Sequence, residues 1–170
     1  MNIMMVLLLS GCMQVSTVAT LPSLQEVRTH YQSAATEEKA CRQLLKELET
    51  VEEKSNPVLG GYRASAMMMM ANHVFNPLKK LSYFNDGKAL LERSIAADGQ
   101  NVELRFLRFA AQSECPSFLN YDSNLDTDKQ LLLNSLSQVK DQQLKKMVCD
   151  FLRNSKQLSK TEKEKVEKIK

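Results

Sequence analysis

Asn76-Pro77-Leu78-Lys79-Lys80-Leu81-Ser82-Tyr83-Phe84 opens a helix, and Ala97-Asp98-Gly99-Gln100-Asn101 ends it. An asparagine followed by proline is a start signal, because the asparagine side chain caps free backbone N–H groups and proline at the first helical position lacks an N–H that would go unbonded anyway. Between the two ends Leu78, Leu81, Phe84, Leu91 and Ile95 keep a helical period to about Ala97, with Asn85-Asp86-Gly87 as a point that could break the helix in two. Gly99 fits the left-handed position beyond the last turn.

The same punctuation repeats outward in both directions. Ser23-Leu24-Gln25-Glu26 and Ser159-Lys160-Thr161-Glu162 are capping boxes, Thr36 is placed to cap a helix opened by Glu37-Glu38, and Asn56-Pro57 opens another. The helix after Pro57 is rich in small residues, Gly60, Gly61, Ala64, Ser65 and Ala66, which let a neighbouring backbone approach closely, so it is expected to be central. Further helices are read from Asn101 to Ser113, Asp126 to Val139, Gln142 to Asn154 and Lys160 to Ile169, the last with only Val166 and Ile169 to bury. Pro116 to Asp126 is the one substantial loop. Low glycine and proline, with abundant Leu, Ala, Lys, Glu and Gln, agree with an all-α fold of about eight helices. Short connections between them predict stacked antiparallel helical hairpins.

Phe84, Gly87, Leu91, Ser94, Asp98 and Gly99-Gln100-Asn101 resemble the second helix and following turn of a tetratricopeptide repeat, with Gly99 where that family usually has proline. The resemblance covers about twenty residues and implies an α-solenoid with a concave face suited to a peptide. The chain also resembles short exported bacterial proteins of unknown function, through Phe75-Asn76-Pro77-Leu78-Lys79-Lys80, Val102-Glu103-Leu104-Arg105-Phe106-Leu107-Arg108-Phe109 and Phe118-Leu119-Asn120-Tyr121-Asp122-Ser123-Asn124. That likeness implies a common fold and no activity.

The N-terminus supplies an address. The first charged residue is Glu26, and the apolar run Ile3 to Leu9 leads into Leu9-Ser10-Gly11-Cys12. A run this short suits the core of a secretion signal better than a membrane span. Two boundaries are open: a signal over residues 1–19 cut after Ala19, or residues 1–11 removed before a lipid-modified Cys12, which looks like a bacterial lipobox cysteine. Either makes the protein exported, to the periplasm or outer envelope, with residues 20–170 as one helical domain of about 150 residues. Acylated Cys12 would tether it to a membrane.

The net charge of +3 is small and the charges are interleaved, which argues against a nucleic-acid partner. Cys41, Cys115 and Cys149 have no C-x-x-C spacing, so they encode no zinc site and read as small core residues. Asp122, Asn124, Asp126 and Asp128 alternate like a calcium loop, but Thr127 stands at the turn glycine and Leu133 at the bidentate glutamate, so capping by Asn124 or Asp126 is the better reading. Met67 to Met70 circle the helix as adaptable packing; Met69 and His73, four apart, lack the second cluster that a copper site would need.

His30 and His73 stand beside no nucleophile at a motif spacing, so binding is expected rather than catalysis, with no cofactor and no metal. Arg105, Arg108 and Gln112 form a polar stripe on an otherwise apolar helix. Such arginines either bind a carboxylate ligand bidentately or tie the long loop down through Asp122, Asp126 or Asp128. Tyr62, Arg63, Arg105 and Arg108 are the candidate binding residues for a protein or peptide partner. The competing class is a small-molecule carrier or enzyme with an enclosed pocket among Met68, Phe106 and Tyr121.

Overall fold

The computed structural model describes residues 21–169; the Leu9-Ser10-Gly11-Cys12 tetrapeptide and the cleavage point after Ala19 lie outside the described residues. The described residues are all-helical, with no strand: α1 (Leu24–Ala34), α2 (Glu38–Glu47), α3 (Pro57–His73), α4 (Pro77–Ala97), α5 (Val102–Glu114), α6 (Leu125–Ser135), α7 (Gln142–Asn154) and α8 (Lys160–Glu167). Short 3-10 turns lie at Ser117–Leu119 and Leu136–Gln138.

Most of the start signals form as written. Both capping boxes close, Ser23 with Glu26 and Ser159 with Glu162. Asn76 accepts from the N–H groups of Leu78 and Lys79, and Asn101 from those of Glu103 and Leu104. Four expectations change. Asn56 stands before Pro57 at the start of α3, but its side chain makes no cap bond. Thr36 does not cap α2; Glu37 holds that position without a side-chain bond, and the Thr36 hydroxyl instead donates to the carbonyl of Ser33. Gly99 keeps a negative φ, and the left-handed residue is Asn120, with φ 46°, at the end of the Ser117–Leu119 turn. Asn124 precedes α6, but its side chain makes no cap bond.

Helix α4 is also unbroken across Asn85-Asp86-Gly87. The reason is tertiary. A Cβ at Gly87 would stand 2.6 Å from the Ala64 carbonyl oxygen and 2.8 Å from Met68 Cγ, so this glycine is where α3 and α4 come into close contact. Gly61 does the same on the other side of α3, where a Cβ would lie 2.5 Å from Leu104 Cδ2 on α5. The glycines weaken their helices by roughly 1 kcal/mol each and permit the close packing of α3 between two neighbours.

Successive helices pack in pairs, α1 with α2, α3 with α4, α5 with α6 and α7 with α8. The first members also touch in series, α1 with α3, α3 with α5 and α5 with α7. Edge-to-face aromatic contacts run along that series: Tyr31 with Tyr62 at 5.2 Å between ring centres, Tyr31 with Phe106 at 6.4 Å, and Phe106 with Phe151 at 5.5 Å. Cys41 and Cys149 are core residues, and the three described cysteines are free thiols.

Candidate functional site

Helix α5 is apolar on most sides; Glu103 enters one polar cluster and Arg105 and Arg108 enter another, whereas the buried Gln112 of the same stripe has no hydrogen-bond partner among the described residues. The first cluster draws a residue from every odd-numbered helix or its cap. Arg28 of α1 grips Glu103 of α5 through two parallel bonds, Nε to Oε1 at 2.7 Å and Nη2 to Oε2 at 2.8 Å. Tyr62 of α3 donates its hydroxyl to the same Oε1 at 2.5 Å. The remaining Arg28 nitrogen reaches Asp141, the cap of α7, at 2.7 Å, and Gln143 at 3.2 Å. Arg28 and Glu103 are both buried, so each needs the other: an unpaired charge there would cost several kcal/mol. Glu103 holds the Arg28 guanidinium above its ordinary range. Burial, reinforced by the Glu103 carboxylate, pushes the Tyr62 phenol far up. Asp141 is lowered, first by the Leu144 N–H and then by Arg28.

The second cluster joins α4, α5, α6 and the loop between the last two. Arg108 holds Asp128 with Nε at 2.6 Å and Nη2 at 3.0 Å, and turns Nη1 to Glu92 at 2.8 Å. Arg105 adds a bond from Nη1 to Asp128 at 2.8 Å and donates Nε to the Gly99 carbonyl. Tyr121 closes the loop by donating to Glu92 at 2.8 Å, its phenol raised chiefly by burial. Asp128 is fully buried between the two arginines. Of the three aspartates available in this segment, it is therefore Asp128 that the arginines hold, while Asp126 pairs with Lys129 at the surface.

These contacts place the four candidate binding residues apart. Tyr62 and Arg108 are interior, and Arg105 is largely so. Arg63, the residue after Tyr62, faces the other way. Its Nη1 donates to the Val51 carbonyl at 3.1 Å, and its other nitrogens have no bond among the described residues. It lines an open groove of about 350 Å³ between α2, α3 and α4 with Leu45, Lys46, Glu49, Met67 and Tyr83. A second depression along α2, lined by Glu38, Lys39, Arg42, Gln43 and Lys46, shares Lys46 with it. The lining combines a thioether, a leucine and an aromatic ring with the charged side chains of Lys46, Glu49 and Arg63. Met68, Phe106 and Tyr121 are core residues and line neither depression. His73 brings Nε2 to the Ala34 carbonyl at 2.9 Å, which fixes the proton on that nitrogen.

Arg28, Glu103 and Asp141 were not singled out by sequence, although Arg28 falls on the buried stripe Val27, Arg28, Tyr31 and Ala34, where a charge demands a partner. Tyr83 gave no signal at all. No protein-family model, no curated protein and no solved structure matches the chain.

Proposed function

We propose that this protein is an exported peptide-binding module of the cell envelope, a stack of helical hairpins resembling tetratricopeptide repeats that takes a partner segment in the α2–α3–α4 groove. One observation carries the reading: Arg63 spends a single nitrogen on the fold and keeps the rest for a ligand, beside the half-buried Tyr83 and Met67. The serial contact of α1, α3, α5 and α7 supports the likeness to a repeat stack. The uncharged N-terminus ending at Cys12 or Ala19 supports export. The groove favours a segment with apolar side chains for Leu45, Met67 and Tyr83 and a carboxylate for Arg63 and Lys46.

Selection from a displayed random-peptide library tests this. The expected result is enrichment of acidic-apolar segments that bind wild type and are lost by Arg63→Glu and Tyr83→Ala. Enriched peptides that bind both variants unchanged would overturn it. Intact mass of the protein purified from its native envelope tests the address: a chain starting at Cys12 with acyl groups or near Thr20 fits, and an intact Met1 does not.

A further inference from the structure

Three residues, Val74 to Asn76, join α3 to α4. Every residue from Phe75 to Ser82 is exposed. Three of them are large and apolar: Phe75 is 98% exposed, Leu78 78% and Leu81 47%. Leu78 and Leu81 are three apart and share a face. Between them stand Lys79 and Lys80, which form no ion pair among the described residues. The first carboxylate along the helix, Asp86, already accepts the Ser82 hydroxyl at 3.0 Å. The loop that packs on this half of α4, through Tyr121 against Phe84 at 5.9 Å between ring centres, carries another exposed aromatic, Phe118, at 77%.

We propose that the exposed α3–α4 tip, residues 75–82, is a membrane-contact site that inserts Phe75 and Leu78 into the interface of an anionic bilayer while Lys79 and Lys80 sit at the headgroup phosphates. Charge decides the occupant: two unpaired cations flank apolar side chains, the complement of a negative surface with an apolar layer beneath. Shape agrees. The tip lines neither depression, and a bilayer interface accepts an exposed apolar tip where a protein partner would have to supply a socket. Aromatic and leucine side chains next to lysines reach the depth at which interfacial segments sit, with the ammonium groups remaining at the polar surface.

The test is co-sedimentation of the full-length protein with vesicles of phosphatidylcholine alone and of phosphatidylcholine with phosphatidylglycerol. The N-terminal segment and the lysine-rich C-terminus are the same in every variant, so differences report the tip. Lys79→Glu with Lys80→Glu is expected to weaken binding to the anionic vesicles by more than about tenfold, near fivefold per lysine. Phe75→Ser with Leu78→Ser is expected to weaken it by at least about tenfold. Both pairs are solvent-exposed, so unchanged thermal melting and unchanged groove-peptide binding accompany the loss. Equal partitioning of wild type and both variants would overturn the proposal. So would variants that alter self-association in size exclusion while leaving vesicle binding intact, since the patch would then be a contact between protein chains.

Discussion

Tyr62 and Arg63 are adjacent in the chain and belong to different parts of the molecule. Tyr62 enters a cluster in which every polar atom has a fixed partner, whereas Arg63 stands on the rim of a groove with most of its donors unspent. The contrast extends to the other arginines. Arg28 and Arg108 are forked onto buried carboxylates that they cannot leave without exposing a second buried charge. An interior guanidinium engaged in this way holds helices together and is unavailable to a ligand, whereas Arg63, on the surface between α2, α3 and α4, is the donor that the proposed function assigns to recognition. Number and type of arginine in the sequence do not distinguish these roles; the direction in which each helix face points does.

The comparison breaks most violently at Asp128. Asp128→Ala leaves Arg105 and Arg108 converging without their shared carboxylate, and chemical denaturation should register a loss of about 3–5 kcal/mol. Next is the α3–α4 seam. In an open helix Gly→Ala stabilises by up to about 1 kcal/mol, but Gly87→Ala places a methyl against the immovable Ala64 carbonyl and should destabilise by about 2 kcal/mol. Tyr62→Phe removes one charge-assisted bond and leaves Arg28 and Glu103 paired, for a loss of roughly 1.5–3 kcal/mol.

A gentler probe is acid. Asp141 is depressed in the folded protein, so its contribution is complete above the ordinary value of 3.8 and is lost as the pH falls through the lower folded value. Melting temperature should therefore fall with acidification below that point, and Asp141→Asn should flatten this limb. A pH profile identical in the variant would remove Asp141 from the account.

Local signals in the sequence carry most of the helix ends. Ser23, Asn76, Asn101 and Ser159 cap where their own side chains can reach, so nothing distant is needed to read them. Gly87 misleads because its meaning is the backbone of α3 on the other side, which a local reading takes for a break. The stripe of Arg105 and Arg108 announces a buried carboxylate and narrows it to three aspartates, since periodicity fixes the face. Glu103 gives no such notice: its partner Arg28 is 75 positions away and meets it only after three hairpins have stacked. The groove is harder still, because three helices build it and none of its lining residues has an unusual type.

The most direct test of the division between interior and rim sets the two neighbours against each other. Stability and the Kd of a selected groove peptide are measured for Tyr62→Phe and Arg63→Ala. The expected result is a double dissociation: Tyr62→Phe melts earlier and binds as wild type, while Arg63→Ala loses no more than about 1 kcal/mol of stability and at least about tenfold in affinity. Arg63→Ala binding as tightly as wild type, or Tyr62→Phe losing affinity without losing stability, would contradict the account.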